Sequence, residues 1–196
     1  MDHGTKNIMV VFSSPSGVGK TTITKKIQQK YHSFKLSVSH TTRTPRSNEV
    51  NGVDYHFVTK DHFMRLVKND EFYEYAQIFD NYYGTLKKNI KEIFVKNDII
   101  FDIDWQGTKQ LSKFKELKLL KIYLIPESKE ELKKRLISRN QNTDEEVTKR
   151  FNAFKDDIKH WKDYDYIIIN KNLENCFQQI EKIILNNKKE RLLSLK

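Results

Sequence analysis

Cysteine is almost missing from this sequence: Cys176 stands alone in 196 residues. One thiol excludes an internal disulfide framework and any cysteine-based zinc site, and it suits a reducing compartment. The six histidines show no metal-ligand spacing. Proline and glycine are sparse as well, at three and six, and no Pro/Gly linker, internal repeat or low-complexity tract divides the chain. Long apolar runs are lacking too. Met1 to Asn7 are polar, and the run that follows is one strand long, far short of a signal-peptide core or a spanning helix. The expectation is a cytoplasmic protein with no membrane partner.

What is present argues for a folded, polar domain. The hydrophobic fraction of 37% is low, but 12% aromatic content and clear apolar runs speak against disorder. A chain of this length forms one domain, or one domain with mobile insertions, and can bury about 70% of its unfolded surface without a staple. Basic residues exceed acidic ones by 36 to 26, a net charge of +10. Such a balance fits a polyanionic partner or merely a lysine-rich surface. Lys and Glu/Asp alternate along most predicted helices, with neither a dense basic stripe nor a nucleic-acid reader motif, so no nucleic-acid partner is expected.

Ile8 to Ser13 is a continuous apolar run, the pattern of a strand buried on both faces of a parallel sheet. A glycine loop follows, then a helical pattern from Thr21 to Tyr31. Ile99 to Ile103, Leu120 to Ile125 and Tyr166 to Ile169 are further core-strand candidates separated by helical segments. This alternation predicts an α/β fold with a doubly wound parallel sheet flanked by helices. Two segments depart from it. Residues 38–87 are rich in Thr, Arg, Asn, Gly and aromatics, with alternation at Val53 to Val58, and suggest a small strand-rich insert. Residues 128–160 read as two charged helices. Ser128 with Glu131, and Thr143 with Glu146, fit the capping-box spacing, with a turn at Asn140, Gln141 and Asn142. The chain is therefore expected to be a single domain: a core of 1–37, 88–127 and 161–196, with the insert and the helical pair as mobile attachments.

Ser14-Pro15-Ser16-Gly17-Val18-Gly19-Lys20-Thr21, followed by Thr22, matches the phosphate-loop pattern GxxxxGK[ST] at every position but the first. A run of backbone N–H groups closed by a helix N-terminus makes a concave anion site, and glycines let the backbone approach phosphate oxygens. Lys20 would reach the β and γ phosphates of ATP, and the Thr21 hydroxyl would ligate Mg²⁺. Ser14 stands where glycine is usual, and would cost about 1 kcal/mol if that position required positive φ.

Other segments extend the pattern: TTRTPR, EVNGVDYHF, EFYEYA, NYYGT, FDIDWQG, and the arginines of RLISR with the later Arg150. In this ordered series, nearly end to end, the chain resembles the guanylate kinases, P-loop nucleoside monophosphate kinases. The resemblance implies transfer of the ATP γ-phosphoryl group to GMP with Mg²⁺, with dGMP as a second acceptor. It puts Arg43, Arg46, Tyr55 and Tyr83 on the acceptor phosphate, and Ser39 and Thr85 as donors to guanine O6. It makes Asp102 a group near Mg²⁺ or its waters, Asp104 a contact on the guanylate side, and Arg135, Arg139 and Arg150 a lid that closes over ATP. Asn140 stands where the family often has glycine, and tolerates the same left-handed backbone.

The residue chemistry agrees without proving the roles. Guanidinium forks pair bidentately with phosphate, although two loop arginines alone fit an ordinary surface. Glu74 lies among aromatics that either stack on a base or simply pack. Its carboxylate would accept guanine N1–H and the exocyclic amine together, whereas adenine N1 would face it with a lone pair. A lone Glu in a half-apolar strand also fits an outward, solvated residue. Asp102 and Asp104, two apart at a strand end, face the same way, toward the ligand crevice of a doubly wound sheet, or else cap the following turn. Arg135 and Arg139 share one helix face, though their lysine neighbours fit a generic basic surface. The rival functions are a catalytically silent scaffold module of the same fold and a kinase for another small molecule. Monomer and homodimer both remain open.

Overall fold

The computed structural model describes residues 7–138 and 144–194. Its main sheet contains β1 (Met9–Ser13), β2 (Phe34–Leu36), β7 (Asp98–Asp102), β8 (Leu119–Pro126) and β9 (Tyr166–Asn170). Their order is β2-β7-β1-β8-β9, and every pairing is parallel. The central strand explains the two-layered core. Along β1, Val10 and Phe12 point into one apolar cluster, and Met9 and Val11 into the other; all four are fully buried. The first cluster takes Ile23 and Ile27 of α1 (Lys20–Lys30), Leu132 and Leu136 of α5 (Lys129–Ile137) and Phe177, Ile180 and Ile184 of α7 (Leu173–Ser194). The second takes Ile90 of α3 (Lys87–Phe94) and Leu111 of α4 (Trp105–Leu111). Helices thus cover both faces, as the alternation of elements predicts.

Four of the five core strands coincide with the expected apolar runs. The fifth, β2, is only FKL with Lys35 exposed, and a three-residue edge strand carries too little periodicity to be seen. It is held by its parallel register with β7, Phe34 opposite Asp98.

A second sheet combines β3 (His40–Thr41), β4 (His56–Phe57), β5 (Phe72–Ile78) and β6 (Asn81–Leu86) in the order β4-β3-β6-β5. The strand expected over Val53 to Val58 shrinks to His56–Phe57. Gly52 takes φ +80 in the preceding turn, and Asn51 and Tyr55 bridge across it. Helix α2 (Lys60–Lys68) is capped by the Thr59 side chain and packs Phe63 against Phe72, with ring centroids 4.7 Å apart.

Helix α5 starts at the predicted cap, with Ser128 Oγ accepting from the Glu131 N–H at 3.1 Å. The Glu131 carboxylate instead accepts from Arg135 Nε one turn on, at 2.9 Å. Helix α6 (Asp144–Asp157) runs into a 3₁₀ segment, Ile158–Asp163. The predicted turn at Asn140 to Asn142 and the Thr143 cap, like Arg139, lie outside the described residues. Among the described residues, no helix is long and apolar enough to cross a membrane.

Candidate active site

The topology opens a crevice at the C-terminal ends of the core strands, because β1 has β7 on one side and β8 on the other. The glycine loop leaves β1 at this point. Gly17 and Gly19 have φ of +91° and +103°, so both need the left-handed backbone that glycine adopts freely. Ser14 does not: among the described residues, the non-glycine positions with positive φ are Asp70, Phe79 and Lys118. The cost expected for Ser14 therefore does not arise. Ser14→Gly is expected to leave kcat/KM for ATP within about twofold, since no backbone strain is relieved; a tenfold gain would show that Ser14 impairs the loop.

The register of β1 with β7, Phe12 beside Asp102, brings the carboxylate to the loop. Lys20 Nζ pairs with Asp102 Oδ1 at 2.7 Å and donates to the Ile103 carbonyl at 2.9 Å. The Thr21 hydroxyl donates to Asp102 Oδ2 at 3.2 Å. Pro15 and Val18 are buried beneath the loop, Ser14 and Ser16 are half-buried, and Thr22 is exposed beside Thr21 at the start of α1. Asn170, 3% exposed, donates from Nδ2 to the Val18 carbonyl at 2.7 Å. Arg135 supports the same turn, with Nη1 on the Val18 carbonyl at 3.4 Å and Nη2 on the Asn170 carbonyl at 3.1 Å. A Cβ on Gly17 would come within 2.8 Å of Leu136 Cδ2, so α5 rests directly on the loop. Arg150 is half-buried on α6. Asn170 has a faint sequence signal, a polar residue closing an apolar strand at the ligand edge, which sequence reading passed over.

Across the crevice the small sheet carries a second group. Arg43 Nη2 donates to both Glu49 oxygens at 2.7 and 2.8 Å, and Arg43 Nη1 donates to the Thr44 carbonyl at 2.8 Å. The guanidinium lies 5.4 Å from the Tyr55 ring centroid. Burial opposes the charge of Arg43, yet the Glu49 and Tyr83 contacts carry its pKa above the ordinary value. Glu49 also accepts from the Arg46 N–H at 2.8 Å, while the Arg46 side chain is exposed. Burial acts against the Glu49 carboxylate, and its bonds to Arg46 and Arg43 hold it below the usual range. Tyr55 is raised by burial and by the Asp102 charge. Glu49, unmarked in the sequence reading, is the residue that orders this arginine loop.

Glu74 is 3% exposed. A register shift between Phe72 and Glu74 breaks the alternation of β5, so that Phe72, Tyr73 and Glu74 are all buried and Glu74 lies opposite Thr85. Thr85 Oγ1 donates to Glu74 Oε1 at 2.6 Å. The other oxygen rests on the first turn of α4, where a Cβ on Gly107 would be 2.5 Å from Glu74 Oε2. Asp104 caps that turn, accepting from the Gly107 N–H at 2.8 Å. Burial, with the Asp104 charge, pushes Glu74 up to about 7, against the bond from Thr85. Asp104 is raised by burial as well, and Asp157 is pushed up to about 6 by burial and Asp104. Ser39 is buried at the start of the same sheet. The crevice therefore presents a lysine-bearing glycine loop, an ordered arginine and a buried carboxylate.

Comparison with known proteins gives one answer. A family model described as guanylate kinase matches residues 6–187. The guanylate kinase of Paramagnetospirillum magneticum is 42% identical over 193 residues, spanning 97% of this chain and 90% of that protein. That of Clostridioides difficile is 43% identical over 184 residues, 93% and 89% of the two chains. The crystal structure of guanylate kinase from Anaplasma phagocytophilum superposes with a TM-score of 0.77 at 31% identity, covering 93% of this chain and 86% of that one.

Proposed function

The chain belongs to the guanylate kinase family and transfers the γ-phosphoryl group of ATP to GMP, giving ADP and GDP; we propose that the two sides of its crevice divide that reaction between them. The observation that carries this reading is the buried Glu74 carboxylate at one end of a crevice whose other end holds Lys20 in a glycine loop. The loop from Ser14 to Thr22 binds the ATP phosphates through its backbone N–H groups. Lys20 exchanges Asp102 and the Ile103 carbonyl for phosphate oxygens, and those two protein groups hold its ammonium beside the loop.

Thr21 and Asp102 are hard oxygen donors within 3.2 Å of each other, which suits Mg²⁺, with Asp102 acting through water. Bound there with ATP, Mg²⁺ supplies charge neutralisation at the β and γ oxygens. Arg135 and Arg150 supply the cationic side of a lid region, 128–160, with Arg139 assigned to it by family resemblance alone, and residues 38–87 form the acceptor insert; both close on the 1–37, 88–127 and 161–196 core. A contact between the attachments supports closure: Lys149 Nζ lies 3.2 Å from Asp80 Oδ2 and 4.7 Å from the Phe79 ring centroid. Closure excludes water that would otherwise hydrolyse ATP.

The acceptor phosphate is already anionic, so in-line attack needs positioning and charge stabilisation rather than a general base. Arg43, Arg46, Tyr55 and Tyr83 hold it. Glu74 accepts both donors of the guanine edge, Ser39 serves O6, Thr85 serves O6 by turning its single O–H away from Glu74 Oε1, and Asp104 lies on the same side. dGMP is a second acceptor in this reading. The compartment in this reading is the cytoplasm, in keeping with a single buried thiol. Arg43→Ala is expected to raise the GMP KM by about 10²-fold, the value of two lost charge-assisted bonds, and Glu49→Gln by about tenfold. The ATP KM should stay within about twofold in both, since the loop is untouched. Steady-state kinetics with each substrate varied checks this; an unchanged GMP KM in Arg43→Ala would remove Arg43 from the acceptor site.

A further inference from the structure

At the foot of the glycine loop lies a short chain of buried hydroxyls that phosphate binding itself does not use. Ser13, the last residue of β1, is fully buried, and its hydroxyl donates to the Ile103 carbonyl at 2.8 Å. Thr108 of α4, 2% exposed, places its Oγ1 2.9 Å from Ser13 Oγ and 2.8 Å from the Asp104 carbonyl. Each hydroxyl has one proton, so these three contacts share two protons. The Asp104 carbonyl already accepts the Thr108 backbone N–H at 3.0 Å. The Thr108 proton is therefore free to meet Ser13, and the Ser13 proton is committed to Ile103. That same carbonyl accepts from Lys20 Nζ at 2.9 Å. Ile103 is 7% exposed and is pinned to β1 by its N–H on the Phe12 carbonyl at 3.3 Å, so the acceptor does not turn to follow a departing donor.

We propose that Ser13 is a positioning residue for ATP binding: its hydroxyl keeps the Ile103 carbonyl hydrogen-bonded when Lys20 leaves that carbonyl for phosphate oxygens. A buried acceptor stripped of its donor is costly, and the cost falls on whichever step removes the donor. With Ser13 present, both lone pairs of the carbonyl are used while Lys20 is there, and one is still used after it goes. Without Ser13, Lys20 is the remaining side-chain donor to that carbonyl among the described residues. ATP must then pull the ammonium away from an acceptor that has nothing to replace it. Asp102 has the same provision, because the Thr21 hydroxyl donates to its other oxygen at 3.2 Å. Ser13 thus sets how readily the lysine passes to nucleotide while itself staying inside the core. The inference rests on Lys20 passing to the ATP phosphates.

The test measures ATP affinity by calorimetric titration of the full chain, with Mg²⁺ and without GMP. Ser13→Ala is expected to raise the ATP Kd about tenfold, the effect of leaving one buried acceptor unpaired in the bound state. In a Lys20→Ala background the same substitution should leave the ATP Kd within about twofold, because the carbonyl is then unpaired with and without nucleotide. A merely structural loss would lower the Tm and shift the Kd in both backgrounds or in neither. Thr108→Val interrupts the same hydroxyl chain but leaves the Ser13 proton on Ile103, so it should lower the Tm and keep the ATP Kd within about twofold. If Ser13→Ala does not fold, Ser13→Cys, whose S–H is a weak donor, replaces it in both backgrounds, with about a threefold rise expected. An unchanged ATP Kd on replacing Ser13, a rise of equal size in the Lys20→Ala background, or a Thr108→Val protein as impaired as the Ser13 variant overturns the proposal. Lys20→Ala by itself separates the two readings. An unchanged ATP Kd there overturns the passage of Lys20 to phosphate, whereas a raised one beside an unchanged Ser13 variant overturns this inference alone.

Discussion

Lys20→Ala is expected to lower kcat by about 10³-fold, the effect of removing one preorganised cation from the developing charge of a transferring phosphoryl group. The geometry shows the preorganisation. Lys20 is 17% exposed, is paired with Asp102 at 2.7 Å and donates to the Ile103 carbonyl, so the protein's own groups hold its ammonium at the mouth of the loop. Part of the loss has another origin. Without Lys20, Asp102 keeps, among the described residues, the longer bond from Thr21, and leaving a half-buried carboxylate short of a partner costs on the order of 1–3 kcal/mol of stability. Thermal denaturation measures that part, and kinetics on protein shown to be folded measures the rest. A folded Lys20→Ala protein retaining a tenth of wild-type kcat would remove Lys20 from the transfer step.

Glu74→Gln has the second large effect, on recognition and on pH dependence together. A glutamine side chain accepts one guanine donor and opposes the other with its own N–H. The GMP KM is expected to rise by about 10²- to 10³-fold and the preference over AMP to shrink accordingly, because a buried polar group is left mispaired. The raised carboxyl sets the pH dependence. Burial puts Glu74 at about 7 in the free protein against an ordinary value of 4.5. Between those values the folded protein binds the proton more tightly than the unfolded chain. Stability contributed by this group is therefore full below about 4.5, falls as pH rises toward 7, and is level above it. The difference amounts to about 3 kcal/mol over that window. Asp157 at about 6 and His40 at about 4 titrate in both proteins, so the difference between wild type and Glu74→Gln isolates Glu74. Guanine needs the ionised carboxylate. GMP binding below pH 7 therefore releases this proton, and the ratio of wild-type to Glu74→Gln GMP KM should climb as pH falls from 8 to 6. A ratio that is flat with pH would mean that Glu74 does not ionise to meet the base.

How legible the molecule was depends on whether a feature is local. The loop from Ser14 to Thr22 could be read directly, because strand, glycines, Lys-Thr and helix follow one another along the chain. The outer strand β2 could not, since three residues with an exposed lysine hold their place only through pairing with β7. Glu74 was identifiable by type, but its burial depends on a register shift that the alternation of β5 does not announce. Glu49 and Asn170 act by completing other residues' hydrogen bonds, six and more than one hundred and fifty positions away, and no local pattern encodes such distances. Ser14 shows the reverse case. The motif marks it as a defect, and the backbone shows that its position never demanded glycine.

The most direct measurement is ADP release from ATP and Mg²⁺ with GMP, AMP, CMP, UMP and dTMP offered as separate acceptors. Turnover with GMP should exceed that with AMP by about 10³-fold or more, as expected when a buried carboxylate must find two donors on the base. Comparable turnover with AMP, or with a pyrimidine nucleotide, would contradict the assignment of Glu74 and the acceptor site built around it.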